Sequence, residues 1–221
     1  MIELKYKHIL FDLDGTLTDP REGITKAVRH ALGQQGIIVN DLSELECFIG
    51  PPLQETFTEK YHFSEAEAWE AILSYREYFK DTGLYENEVY VGIRDVLDLL
   101  LSQGRQLYVA TSKPAVFAET ILEHFQLSAY FTMVCGSELD GTRSAKTEII
   151  QHVLDTCRID ASEAVMIGDR MHDLIGARNC GIHSMAAGYG YGSEEELTAC
   201  QPTYFFKTVE EMLRSFASLA V

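Results

Sequence analysis

Six short apolar runs, separated by amphipathic stretches, constrain this chain more tightly than anything else in its sequence. The first is His8–Asp14, where Ile9, Leu10 and Phe11 lead into Asp12 and Asp14 before a turn at Gly15. Gln106–Thr111, Phe131–Cys135, Ala164–Gly168, Ile182–Ala186 and Tyr204–Phe206 follow. Near-continuous apolar runs of this length read as strands buried on both faces. Ile93–Leu101, Pro114–Phe125, Ser144–Cys157, Asp173–Cys180 and Val209–Leu219 carry helical spacing between and after them. This alternation predicts an α/β fold, a parallel sheet with helices on both faces.

The alternation is interrupted once. From Asp19 to about Thr82 the pattern is helical. Pro20 can open a helix in which Ala27, Val28, Ala31 and Leu32 share a face, and Gly36 ends it. Leu42–Phe48 reads as a short helix, Gly50-Pro51-Pro52 as a break, and Ser64–Lys80 as a long helix opened by a Ser64/Glu67 capping box. A block of about 65 residues is too long for a loop in a compact domain. It reads as an all-α subdomain, residues 18–84, inserted into an α/β core of residues 1–17 and 85–221.

Charge narrows the partners. The chain has 18 basic and 34 acidic residues, a formal net charge of −16. Such a field repels nucleic acid and anionic membranes, so neither is an expected partner. It equally repels phosphorylated metabolites, so a site for them needs local positive charge. The first residues, Met1–Lys7, are charged and short, with no signal peptide expected, and no window reaches the roughly 18 apolar residues of a membrane span. Five scattered cysteines without CxxC spacing read as buried free thiols of a cytoplasmic protein. Oligomeric state has no signature in the sequence.

In open α/β sheets ligands bind beyond the C-terminal strand ends. There the sequence places Asp12, Asp14 and Thr16, then Thr111, Ser112 and Lys113, then Ser137 and Lys146, then Asp169 and Asp173. Each has an ordinary account taken alone: solvated acids in a turn, a strand-to-helix junction, a surface lysine, a helix N-cap. Together, on successive strand ends, they point to a site. Asp12 and Asp14 lean to the same side of an extended segment, and Asp169 and Asp173 share a face if a helix starts by Arg170. Four converging carboxylates repel one another unless a cation joins them, and Mg²⁺ suits such an oxygen-rich site completed by a phosphate. Lys146 adds the remaining positive charge.

Asp12-Leu13-Asp14-Gly15-Thr16, Thr111 after Leu107-Tyr108-Val109-Ala110, Lys146, and Gly168-Asp169 with Asp173 resemble, in order, the four motifs of the haloacid dehalogenase superfamily. The resemblance implies a Rossmann-like core with an inserted all-α cap. Ile49-Gly50-Pro51-Pro52-Leu53, Thr111-Ser112-Lys113-Pro114 and Tyr189-Gly190-Tyr191-Gly192-Ser193 are similar to the phosphoglycolate phosphatase branch, although Ser112 stands where asparagine is common.

What the resemblance implies is a Mg²⁺-dependent phosphatase acting on a small phosphorylated metabolite such as phosphoglycolate. Asp12 is the implied nucleophile, forming an aspartyl-phosphate, and Asp14 the acid and then base. Asp12, Asp14 (through its carbonyl), Asp169 and Asp173 are the implied metal ligands. Thr111 and Lys146 hold the phosphoryl oxygens. Ser112, Lys113 and Arg21 are further candidates for binding substrate, with Arg143 and Arg170 flanking the site. Asp14 argues against carbon–halogen chemistry. Nucleoside monophosphates, sugar phosphates and a phosphomutase reaction stay open, as does a non-enzymatic phosphoacceptor domain of the receiver type.

Overall fold

The computed structural model describes residues 6–218. Leu219, expected at the end of the last helix, and Met1–Lys5 lie outside the described residues. The chain divides into two compact units, one of residues 1–19 and 89–221 and the other of residues 20–88.

The first unit is built on a six-stranded sheet of β1 (His8–Phe11), β4 (Gln106–Pro114), β5 (Met133–Ser137), β6 (Ala164–Gly168), β7 (His183–Ala187) and β8 (Tyr204–Phe206). Its order is β5-β4-β1-β6-β7-β8, and every pairing is parallel. β1 lies in the middle, with Phe11 level with Val109 of β4 and Ile167 of β6. Ile9, Leu10 and Phe11 are fully buried, as a central strand covered on both faces requires. On one face Leu10, Tyr108 and Met166 pack with Ile149, Ile150 and Val153 of α6 (Lys146–Cys157) and Ala177 of α7 (Met171–Asn179). Elsewhere in this unit α4 (Ile93–Ser102) packs on β4 and on α9 (Val209–Ala217), and α5 (Ala115–His124) packs on β4 and β5. From β1 the chain order runs outward through β4 to β5 and then returns to β6 on the other side. The switch point therefore lies between the C-terminal ends of β1 and β6, where ligands bind in such sheets.

Several features of this unit depart from the sequence expectation. β4 continues past Thr111 to Pro114 through an irregularity in its pairing with β5. The short helix α8 (Glu194–Ala199) carries a signal that could have found it: Ser193 accepts a bond from the Glu196 N–H at 3.0 Å. Helix α7 also begins two residues earlier than expected, at Met171, because Arg170 is its N-cap.

The second unit contains α1 (Arg21–Gln34), a 3₁₀ segment (Leu42–Phe48), α2 (Leu53–Tyr61) and α3 (Glu65–Tyr78). Gly36 leaves α1 at φ +77°, and the Ser64/Glu67 box opens α3 with both reciprocal bonds present. α3 continues into a single π turn, Phe79–Gly83, where the Leu84 N–H donates to the Phe79 carbonyl at 2.8 Å. Gly23 of α1 approaches that turn so closely that a Cβ would lie 2.0 Å from the Gly83 carbonyl oxygen. The two-residue strands β2 (Thr18–Asp19) and β3 (Glu88–Val89) form a separate two-stranded sheet.

Among the described residues no helix is long and apolar enough to cross a membrane. The five cysteines are free; of them Cys135 is buried as expected, while Cys157, Cys180 and Cys200 are half-buried and Cys47 is exposed.

Candidate active site

Asp12 follows the last residue of β1, and its backbone is held by a 2.9 Å bond from its N–H to the Ile167 carbonyl. Its carboxylate is buried, with Oδ1 accepting from the Leu13 N–H at 2.7 Å and lying 2.7 Å from Lys146 Nζ. Lys146 is the first residue of α6, where the positive end of the helix dipole disfavours a lysine. Three acceptors offset this: Asp12 Oδ1, Asp173 Oδ1 at 2.6 Å and the Ala110 carbonyl at 2.9 Å. Burial pulls the Lys146 ammonium down, yet Asp12 and Asp173 together hold it above its ordinary value. Gly176 of α7 makes the approach possible, since a Cβ there would stand 2.9 Å from the Lys146 Cβ.

Asp169 follows β6, and Asp173 lies in the first turn of α7. Both are completely buried. Asp173 Oδ2 accepts from the Arg170 N–H at 3.1 Å, and burial raises its carboxyl to about 6 despite Lys146. Asp169 accepts from Thr16 Oγ1 at 3.1 Å and from the Tyr191 N–H at 2.9 Å, both uncharged donors. Burial first, then Asp173 and Asp12, push its carboxyl well above the usual range.

Asp12, Asp169 and Asp173 each offer a carboxylate oxygen, and these oxygens lie within 4.8 Å of one another. The donor set is all oxygen, buried and short of positive charge, which fits a hard divalent cation and not a soft one. Glycines shape the space around Asp169: Gly15, at φ +78°, would place a Cβ 2.2 Å from Asp169 Oδ2, and Gly190 would place one 2.4 Å from Asp169 Cβ. Their need to be glycine is steric. The sequence pattern around Tyr189–Ser193 thus has a physical account as the wall of an acid.

Asp14 is buried, with Oδ2 2.8 Å from Lys113 Nζ and Oδ1 without a hydrogen-bond partner. Burial raises its carboxyl, and Lys113 opposes the shift. Thr111 of β4 is buried, its Oγ1 accepting from the Lys113 N–H at 3.3 Å. Ser112 has a buried hydroxyl without a partner, while its carbonyl accepts from Ser137 Oγ at 2.9 Å.

The structure thus brings Asp12, Asp14, Lys113, Lys146, Asp169 and Asp173 into one network, with Thr111 and Ser112 on the adjoining β4 end. Arg21 belongs to the other unit, where its Nε lies 3.4 Å from Glu46. Arg143 pairs with Glu138, and Arg170 Nε bonds Glu196 at 2.9 Å. Sequence reasoning missed Gly15 and the Tyr191 N–H as neighbours of Asp169, the latter because a backbone donor has no sequence signature.

The haloacid dehalogenase-like hydrolase family model matches residues 9–187. A 5′-nucleotidase of Pseudomonas aeruginosa is 56% identical over 202 residues, 91% of either chain. A tyrosine-protein kinase, PtkA, of Mycobacterium tuberculosis is 39% identical over 184 residues, 83% of this chain and 62% of that protein. The crystal structure of a predicted phosphatase from Clostridium acetobutylicum superposes with a TM-score of 0.94 at 46% identity, covering 96% of this chain and 99% of that one. With its acidic network on the ends of β1 and β6 and its parallel sheet shared with such relatives, this chain belongs to the haloacid dehalogenase-like hydrolases and is a phosphatase.

Proposed function

We propose that the protein is a Mg²⁺-dependent phosphatase of nucleoside 5′-monophosphates that works through an aspartyl-phosphate on Asp12. The arrangement that carries the reaction is the pairing of two differently served acids at the end of β1. Asp12 is tied to Lys146 and the Leu13 N–H, whereas Asp14 keeps one oxygen without a partner. Two neighbouring carboxyls in unlike surroundings can take unlike roles, one ionised nucleophile and one proton carrier.

In this reading Asp12 bonds to phosphorus as the ester P–O bond breaks, and Asp14 gives its proton to the leaving oxygen. Water then attacks phosphorus, losing a proton to Asp14, and Asp12 is released. Thr111 Oγ1 holds one phosphoryl oxygen, Lys146 Nζ holds another by exchanging one of its three present acceptors, and backbone N–H groups near Leu13 and Ser112 extend the cradle. Asp12, Asp169, Asp173 and the Asp14 carbonyl are the groups that would hold Mg²⁺, which when bound supplies charge neutralisation between nucleophile and phosphate. The helical unit, inserted after the first acidic motif, is assigned the part of a cap.

The 56% identity to the Pseudomonas 5′-nucleotidase supports a nucleoside monophosphate over the phosphoglycolate suggested by the sequence motifs. The test is inorganic phosphate release over a panel of nucleoside 5′-monophosphates, phosphoglycolate and sugar phosphates. A nucleotide should give the highest kcat/KM; phosphoglycolate ahead of every nucleotide would overturn the substrate assignment. D12N should abolish turnover while the fold persists. Steady phosphate release separates hydrolysis from a receiver-type domain and from transfer to a protein tyrosine, the activity named for the mycobacterial relative.

A further inference from the structure

The catalytic roles just proposed leave Lys113, a buried cation beside Asp14, unused. Lys113 has a side chain only 5% exposed and stands 2.8 Å from Asp14 Oδ2, so its charge meets the acid rather than open solvent. Its position is built in. Its N–H donates to Thr111 Oγ1 at 3.3 Å, and the irregular end of β4 resumes pairing at Pro114 with Ser137. Gly136 of β5 packs against it so tightly that a Cβ would lie 2.4 Å from the Lys113 carbonyl oxygen.

A carboxyl on a two-bond side chain can present either oxygen. Holding Oδ2 on an ammonium fixes the rotamer and leaves Oδ1, which is buried and without a partner, as the oxygen available to a reactant. We propose that Lys113 is a positioning residue that holds Asp14 with Oδ1 directed to the leaving-group oxygen, rather than a binding group for the substrate. This rests on the phosphatase reading above, with Asp14 as the proton donor. When the P–O bond breaks, the proton on Oδ1 moves to the departing oxygen and the new charge on Asp14 is shared with Lys113 through Oδ2.

A proton donor matters only for leaving groups that need a proton. A nucleoside 5′-alkoxide is a poor leaving group, whereas p-nitrophenolate departs unaided. The quantity to follow is kcat/KM, which covers events up to the departure of the leaving group. General acid catalysis is worth about 10²–10⁴. K113M should accordingly lower kcat/KM for the nucleoside monophosphate roughly 10- to 100-fold, and for p-nitrophenyl phosphate about 3-fold or less. In a D14N background K113M should add less than about 2-fold on either ester, since two groups acting as one unit are not additive. K113R, which keeps the charge, should recover part of the loss, and it carries the same comparison if K113M melts early. Equal losses on both esters, or full additivity with D14N, would overturn the assignment of Lys113 alone. A wild-type enzyme that releases phosphate from neither ester would bring down the phosphatase reading and this role together.

Discussion

Replacing Lys146 by methionine removes one charge while nearly conserving volume, so its effect measures the electrostatics of the site. The ammonium lies 2.6 Å from Asp173 Oδ1, 2.7 Å from Asp12 Oδ1 and 2.9 Å from the Ala110 carbonyl, and the side chain is 3% exposed. Breaking a buried pair by removing one partner costs about 3–5 kcal/mol, because the other charge stays behind unpaired. The two carboxylates hold the Lys146 value above the ordinary lysine range. A lysine raised in this way contributes its stability fully below its unfolded value, hence throughout neutral pH. For a chain of this size each kcal/mol moves Tm by about 2–4 °C, so K146M should lower Tm by roughly 6–20 °C without added metal. Differential scanning calorimetry at pH 7.5 reads this directly. Added Mg²⁺ should raise Tm more for K146M than for the wild type, because the abandoned carboxylates lack their other counter-charge. A Tm within about 2 °C of wild type without metal would refute the idea that Lys146 neutralises this cluster.

Four further outcomes follow from the same geometry. G15A should abolish activity, because its Cβ would lie 2.2 Å from Asp169 Oδ2, while G104A, at a similar φ of +76° with nothing nearby, should show only the backbone cost of about 1–2 kcal/mol; equal loss of activity in both would contradict the steric account. Isothermal titration should show the apparent Mg²⁺ affinity weakening as pH falls through about 6, where Asp173 takes up a proton and competes with the ion, with protons released on binding near that pH; an affinity constant from pH 5 to 7.5 would count against Asp173 as a ligand. By the same shift, with the folded value of Asp173 above its unfolded one, the metal-free protein should gain stability as pH falls from 7 toward 5, which melting curves with chelator will check. G23A should destabilise the helical unit by about 1–3 kcal/mol through overpacking against the Gly83 carbonyl, visible as faster hydrogen exchange in α1 and the π turn.

Much of this site was legible because strand burial and strand-end polarity are local signals. Ile9–Phe11 and Ala164–Gly168 must be covered on both faces, and each can end only in residues that face the sheet edge. The acids at positions 12, 14, 169 and 173, with Lys146, therefore declared themselves by position. Helix α2 did not, because Gly50-Pro51-Pro52 signals a break, and what stabilises the helix is tertiary: Phe57 packs 4.7 Å from Phe48 and 5.9 Å from Phe63, ring centre to ring centre. β2 and β3, two residues each, are too short for any periodicity to show. The partner of Lys113 was equally hidden. A lysine after a strand end reads as an anion-binding group, and only the fold reveals that Asp14 already occupies it.

That last fact changes how charge is distributed in the site. Four carboxylates, those of Asp12, Asp14, Asp169 and Asp173, face two ammonium groups, those of Lys113 and Lys146, a deficit of two charges. One divalent cation cancels the deficit, and a proton on Asp14 leaves the pocket with a single positive charge. Only then does a chain of net charge −16 present an attractive spot to a phosphate dianion. Under the proposed roles the two lysines differ in what they touch: losing Lys146, which contacts Asp12 and Asp173, should harm every substrate, whereas losing Lys113, which contacts Asp14, should harm substrates in proportion to their need for a proton.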